Sequence, residues 1–287
     1  MTETPMRYKT GEFAGGGLQL VWQSWSPTGP ATAVLAVVHG FGEHGGRYAF
    51  LVDDMVPRGY AVFTFDLRGF GRSPGRRGHV DRFNDYVTDT GAFLTEVRRQ
   101  CPGTPVILLG HSMGGLVVAA FAERNEAGLA GVVLSSPFLG GPLSVPAFKR
   151  KAAWLLSRVT PTYRMDNELH TDQISHDPAV LAAAAADPLN HLQTTARLVA
   201  EIPKTQAAVL AAAGQLRSPL LLLYAGRDSL VDPRASETFF GRAASVDKAK
   251  HCYADYYHEI FNEVGRASVF EDLAAWLATH VSPAQTT

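Results

Sequence analysis

Residues 105–115 read Pro-Val-Ile-Leu-Leu-Gly-His-Ser-Met-Gly-Gly. The apolar run has the length of a strand buried on both faces, and helical spacing follows it, so Ser112 stands where a strand turns sharply into a helix. A turn that tight brings backbone against the positions two before and two after its centre, and both must be small. Gly110 and Gly114 meet that requirement, and Gly115 leaves extra room. The pattern is that of a nucleophile elbow, in which the central side chain stands exposed above the sheet. A glycine-rich turn whose serine merely caps the helix has the same local signature, so the choice rests on the rest of the chain.

A serine hydroxyl is a weak nucleophile until a base takes its proton and a carboxylate orients the base. On this topology the acid and then the histidine follow the serine, each just after a strand. Residues 219–224, Pro-Leu-Leu-Leu-Leu-Tyr, form a strand-length apolar run that leads into Ala-Gly-Arg-Asp and makes Asp228 the candidate acid. Asp232 lies beyond it and directly before Pro233, which reads as an N-cap with proline at the first helical position. Residues 250–254, Lys-His-Cys-Tyr-Ala, read as a further short strand, and His258 follows before a closing helix, which makes it the candidate base. Taken singly, each aspartate is equally a turn residue, and His258 is one of ten histidines. Their order and strand contexts, taken with the elbow, favour the triad.

A tetrahedral intermediate needs amide donors for its oxyanion, one from the residue after the nucleophile and one from an early loop. Met113 supplies the first. The apolar run 33–38 ends in His39-Gly40-Phe41-Gly42-Glu43-His44, where glycines let the backbone bend, and Phe41 is the candidate for the second. His39 and His44 as metal ligands are the competing reading, but no carboxylate or cysteine cluster of ligand spacing surrounds them; neither metal nor cofactor is expected.

Segments 18–22, 33–38, 61–65, 105–109, 131–134, 219–224 and 249–254 read as strands, the first of them antiparallel. Helical patterns over 47–55, 83–100, 115–125, 233–244 and 267–280 separate most of them. This rhythm predicts an α/β fold with a mostly parallel, doubly wound sheet flanked by helices, its site at the carboxyl ends of the strands. Between 138 and 205 the pattern is helical without strands, beginning after the glycines and prolines of 137–142, and reads as an inserted helical cap between core segments 1–137 and 206–287. Within it, Phe148, Ala152, Leu155, Leu156 and Val159 form an apolar stripe edged by Lys149, Arg150, Lys151 and Arg158. A cap helix packed on the core is the default for such a stripe; a lid meeting lipid at an interface, or the wall of an acyl tunnel, has the same spacing.

Several separated motifs together resemble the α/β-hydrolase superfamily, and within it the monoglyceride lipase and lysophospholipase branch, grouped with serine aminopeptidase-like hydrolases. They are His39-Gly-Phe-Gly-Glu-His44 with Arg47-Tyr48, Asp66-Leu-Arg-Gly-Phe-Gly-Arg-Ser73, Gly110-His-Ser-Met-Gly-Gly115, Asp187-Pro-Leu189, Gly226-Arg-Asp228 and Tyr257-His258. The resemblance implies the α/β-hydrolase fold, the triad Ser112, Asp228 and His258, and the Phe41 and Met113 amides as oxyanion hole. It covers nearly the whole chain but is thinnest over 138–205, the segment that would choose the substrate. It also implies that the 66–73 loop is structural; no Gly-Lys-Ser/Thr follows its glycines, so a phosphate loop is not expected. Arg68, Arg72, Arg76 and Arg77 are expected as solvated charges.

A chain of 287 residues with 46% hydrophobic content buries a large core unaided. Twenty-six basic against 27 acidic residues give a formal charge of −1, which offers no field for nucleic acid. Cys101 and Cys252 show no metal or redox spacing and are expected as free thiols. The first ten residues lack the apolar stretch of a signal peptide, and no run approaches a spanning helix, so a soluble cytoplasmic protein is expected. The expectation is a serine ester hydrolase acting on a single-chain lipid ester, best matched by monoacylglycerol, with transient lipid-interface contact through the cap. Lysophospholipase, short-chain carboxylesterase, serine aminopeptidase and a binding protein with negligible turnover are the alternatives. For the peptidase, Asp166, Glu168, Asp172, Asp177 and Glu201 are the candidate amine-binding patch.

Overall fold

The run Ala33–Val38 is apolar at every position because both of its faces are covered. In the computed structural model, which describes residues 6–125, 128–141, 154–166 and 171–281, Val34, Ala36 and Val38 join one hydrophobic core while Ala33, Leu35 and Val37 join a second on the opposite face. Val106 and Leu108 divide from Ile107 and Leu109 in the same way. Alternation between two cores is the period-2 geometry of a strand inside a doubly covered parallel sheet.

The strands are β1 (Met6–Gly15), β2 (Leu18–Pro27), β3 (Ala33–Val38), β4 (Tyr60–Phe65), β5 (Val106–His111), β6 (Gly131–Ser135), β7 (Arg164–Asp166), β8 (Gln193–Thr195), β9 (Leu220–Ala225) and β10 (Lys248–Tyr253). Eight of them form one sheet in the order β1-β2-β4-β3-β5-β6-β9-β10. β1 with β2 and β2 with β4 are antiparallel, and the remaining pairs are parallel. One face carries α1 (Ala49–Met55) and α8 (Arg266–His280). The other carries α2 (Asn84–Gln100), α3 (Met113–Ala122), α6 (Ala196–Ala212) and α7 (Pro233–Arg242), with residues 154–159 (α4) and α5 (Pro178–Ala186) in the segment between β6 and β9. Phe65, Phe93 and Tyr86 are fully buried; each side chain of this kind contributes about 1.5–3 kcal/mol by leaving water, against the entropy of ordering it.

The α/β class with a mostly parallel sheet is as the sequence pattern predicts, with three local differences. β1 is an unforeseen strand: it pairs with β2 along its whole length, yet residues 6–10 are all exposed, so an edge position left no apolar alternation to read. Next, β7 and β8 pair as a small antiparallel sheet where only helix was expected; strands of three residues are too short to show a period. Finally, α3 begins at Met113, immediately after the serine, because Gly114 and Gly115 are inside the helix. Asp232 caps α7 as its sequence context predicts, accepting from the Arg234 amide at 3.0 Å with Pro233 following. α6 runs unbroken through residue 205 with Pro203 inside it.

In the stripe expected over 146–159, Phe148 and Ala152 lie outside the described residues. Of the remainder, Leu155 and Val159 are exposed and Leu156 is half-buried, with Trp154 exposed beside them. Among the described residues no helix is long and apolar enough to cross a membrane.

Candidate active site

Ser112 adopts φ 52° and ψ −119°, a conformation that non-glycine residues rarely enter. The surrounding glycines show what holds it there. A Cβ on Gly114 would run into the carbonyl oxygens of Val38 and His39, one on Gly110 into the Gly114 backbone, and one on Gly115 into Pro137 at 2.7 Å. Gly115 is thus a required close approach as well as the source of extra room. The Ser112 amide donates to the Ser135 carbonyl at 3.0 Å, and its carbonyl accepts from Leu116 and Phe138. Packing on three sides therefore over-determines the strained turn and leaves the hydroxyl aimed away from the sheet.

The loops after β9 and β10 bring the other two candidates to this hydroxyl. His258 Nε2 lies 2.8 Å from Ser112 Oγ, and His258 Nδ1 lies 2.6 Å from Asp228 Oδ2. The second carboxylate oxygen accepts from the amides of Leu230 and Val231 at 2.9 and 3.0 Å, so the aspartate is held at both ends. A buried carboxylate only accepts, which puts the Nδ1 proton on the histidine and leaves Nε2 free to receive the serine proton. Gly226, close against Ala254, keeps the two loops together. The structure thus brings Ser112, Asp228 and His258 into one hydrogen-bonded chain, while Asp232 stays on its helix.

Burial acts against charge on both partners but does not prevail. It raises the Asp228 carboxyl, while His258 and the two amides together hold it below its ordinary value. Burial lowers His258, while the charge and hydrogen bond of Asp228, with Glu259 and Glu43 behind, hold it above the ordinary 6.5. His111, its ring 4.9 Å from His258, is driven down to about 4 by burial first and His258 second, so it is neutral at neutral pH.

The 39–44 loop lies against the serine: a Cβ on Gly40 would stand 3.0 Å from Ser112 Cβ. The Gly40 amide donates to Glu43 Oε1 at 2.5 Å, and Tyr48 Oη donates to the same oxygen at 2.9 Å. Phe41, the next residue, is half-buried with its ring edge-on to Phe70 at 5.5 Å. Met113 is buried as the first residue of α3, where helix amides have no intrahelical acceptor. His39 and His44 each use both ring nitrogens in this loop: His39 bonds the Gly40 carbonyl and the Leu67 amide, and His44 bonds the Gly46 amide and Asp187.

Sequence reasoning missed the charges beneath the site. Arg47 donates to both oxygens of Glu259, and Glu43 is buried beside them. Arg47 stood in a noted motif, but nothing local marked Glu259 as its partner. Arg68 also departs from expectation: it is not a solvated charge but donates at 2.6 and 2.7 Å to Asp89, which is completely buried. The 66–73 loop is structural, with Asp66 accepting from the Gly45 and Arg72 amides and Ser73 tying back to the Asp66 carbonyl and the Val21 amide.

An elbow serine after the fifth strand, hydrogen-bonded to a histidine that is in turn bonded to an aspartate, the two lying after the last two strands of a mostly parallel sheet, defines a serine hydrolase of the α/β-hydrolase fold. The model of the family described as serine aminopeptidase, S33, matches residues 29–265, and the chain belongs to that family. It is 32% identical to a monoacylglycerol lipase of Mycolicibacterium smegmatis over 94% of this chain and 96% of that protein. It is 33% identical to a phospholipase of Bacillus subtilis over 90% of this chain and 99% of that protein. Among solved structures it resembles the monoacylglycerol lipase of Paleococcus ferrophilus at 28% identity with a TM-score of 0.81, covering 96% of this chain and 99% of that one.

Proposed function

We propose that the protein is a monoacylglycerol hydrolase that works through an acyl-enzyme on Ser112. The observation that carries this reading is the unbroken chain Ser112 Oγ, His258, Asp228 at 2.8 and 2.6 Å on a strained elbow. His258 takes the serine proton as Oγ attacks the ester carbonyl, and the amides of Phe41 and Met113 receive the oxyanion. The intermediate collapses, glycerol leaves with the proton from His258, and the acyl group stays on Oγ. Water then gives its proton to the same histidine, attacks the acyl carbon and releases the fatty acid, while Asp228 keeps the imidazole oriented. No step calls for a cofactor or metal.

The substrate class is supported by the monoacylglycerol lipases among the relatives. A lysophospholipid is the second reading, favoured by the phospholipase relative. The aminopeptidase reading has less support, because two members of its acidic patch are engaged elsewhere: Asp177 caps α5 and pairs with Arg266, and Glu201 pairs with Lys204. We regard 138–205 as a cap. The exposed Trp154, Leu155, Val159, Tyr163 and Leu192 support transient contact of that segment with a lipid surface. The free thiols of Cys101 and Cys252 support a reducing, cytoplasmic location.

The deciding experiment measures fatty-acid release from a medium-chain monoacylglycerol beside the triacylglycerol, a lysophospholipid and an aminoacyl amide, with Ser112→Ala as control. Ser112-dependent release from the monoacylglycerol in preference to the others is expected. Preference for the amide would transfer the chain to peptidase chemistry, and no turnover on any of them would make it a binding protein.

A further inference from the structure

Asp187-Pro188-Leu189 takes no part in the chemistry above, yet its carboxylate is aimed at the loop that carries Phe41. Asp187 Oδ2 accepts from His44 Nε2 at 2.8 Å, and Oδ1 accepts from the Leu189 amide at 2.9 Å. The direction of the first bond is fixed by the other ring nitrogen. His44 Nδ1 accepts from the Gly46 amide at 3.1 Å, so the neutral ring carries its proton on Nε2. The Asn190 amide closes the turn on the Asp187 carbonyl, and its side chain donates to the Ala184 carbonyl at the end of α5.

The next residue of this turn reaches the same loop. The His191 amide donates to the Gly42 carbonyl at 3.1 Å, and His191 Nε2 donates to the Gly69 carbonyl at 3.0 Å. Its ring stacks flat on Phe70 at 5.0 Å and 7°, and Phe70 in turn meets the Phe41 ring edge-on. The turn therefore grips Gly42 and His44 directly and backs the ring of the residue between Gly40 and Gly42. Gly42 sits at φ +80°, where a Cβ would stand 3.1 Å from the His191 carbonyl oxygen.

We propose that the Asp187–His191 turn is a buttress for the oxyanion loop, with Asp187 and His191 as positioning residues that hold the Phe41 amide where the tetrahedral intermediate needs it. This rests on the reading of Phe41 and Met113 as the oxyanion donors. The physical reason is preorganisation. A loop with two glycines in three residues has wide backbone freedom, and a donor stabilises developing charge fully only if it is already in place. Displacement of a reacting group by about 1 Å can cost about 100-fold in rate.

The test is Asp187→Asn in the full chain. The side-chain oxygen of asparagine keeps the bond from Leu189, so its NH2 faces the His44 N–H and that bond is lost while the turn survives. Asp187→Ser, which can cap the turn but cannot reach His44, is the second variant. For both, kcat on monoacylglycerol should fall about tenfold, a fraction of the 100- to 1,000-fold lost when an oxyanion donor is removed outright. Affinity for a boronic-acid analogue of the tetrahedral intermediate should fall by the same factor. KM should stay within about twofold, as should substrate affinity on the Ser112→Ala background, since a ground-state carbonyl gains little from the hole. Val97→Ala, which opens a cavity under α2 away from both the turn and the loop, should lower Tm and leave kcat unchanged. Wild-type kcat and analogue affinity in both Asp187 variants would overturn the inference, as would an equal loss of kcat in Val97→Ala. A wild-type enzyme without Ser112-dependent turnover would overturn the proposed function and this inference with it.

Discussion

Arg47 and Glu259 lie 212 positions apart in sequence and face each other as a two-bond ion pair, Nη1 to Oε1 at 2.9 Å and Nη2 to Oε2 at 2.7 Å. Glu259 is buried and Arg47 is largely covered. The pair joins the segment after the 39–44 loop to the residue that follows His258, so it ties together two loops that flank Ser112. Removing one partner strands a buried charge. Arg47→Ala is expected to cost about 3–5 kcal/mol, whereas Arg47→Met with Glu259→Met should cost far less. Urea denaturation of the single and double variants gives both numbers; equal losses would show that the pair contributes through packing alone.

Ser112→Ala should lower turnover by at least about 10⁴-fold, with Tm close to wild type, because the change removes the proposed nucleophile and little packing. Asp228→Asn should lower kcat by about 10⁴-fold, because an amide in that place favours the wrong tautomer of His258. Steady-state rates at pH 7 check both. Turnover within tenfold of wild type in either variant would remove that residue from the triad.

In the proposed mechanism His258 must be neutral to take the serine proton, and Asp228 holds its folded-state pKa above 6.5. Activity should therefore rise with pH through a midpoint above 6.5 as the imidazole loses its proton. Stability has the opposite sign: the charged pair's contribution is complete below 6.5 and is lost as pH rises through the raised value. Asp228 works the other way, adding stability above its ordinary 3.8 that is lost as pH falls through its depressed value. A pH profile of kcat/KM with its acid limb below 6.5 would contradict this arrangement.

Glu123, just beyond the end of α3, is buried, and its Oε1 has no partner among the described residues. Burial pushes its pKa up to about 8, with Arg124 pulling weakly the other way. Between 4.5 and about 8 the folded state holds a proton that the unfolded state has released, so stability falls as pH rises across that window. Glu123→Gln should abolish this fall, and its Tm should exceed wild type by more at pH 9 than at pH 5. A constant difference across that range would refute the assignment.

Two glycines should respond oppositely to alanine. Gly114→Ala drives a methyl into the Val38 and His39 carbonyls at the elbow and should prevent a stable native fold. Gly241 lies in α7 with open space around its missing Cβ, so Gly241→Ala should add about 0.5–1 kcal/mol. Thermal melts of the two proteins are sufficient to compare them.

Much of the fold was legible because its signals are local. The all-apolar runs of β3, β5 and β9 reported strands covered on both faces, and Asp232-Pro233 reported a helix start. The expected triad residues meet in space because α/β topology brings the ends of parallel strands to one edge, so their order along the chain carried spatial information. β1 was not legible, since an exposed edge strand buries too little to impose a pattern.

The sequence by itself determined the two-sided sheet, the strained turn at Ser112 and the strand-end positions of Asp228 and His258, because each is written in spacing that neighbouring residues enforce. Only the tertiary structure decided which charges are paired. Arg68 with Asp89, Arg47 with Glu259 and Asp187 with His44 join residues 21, 212 and 143 positions apart. No local pattern distinguishes a solvated arginine from one enclosed against a carboxylate; that depends on which surfaces the folded chain brings together and on how much water they exclude.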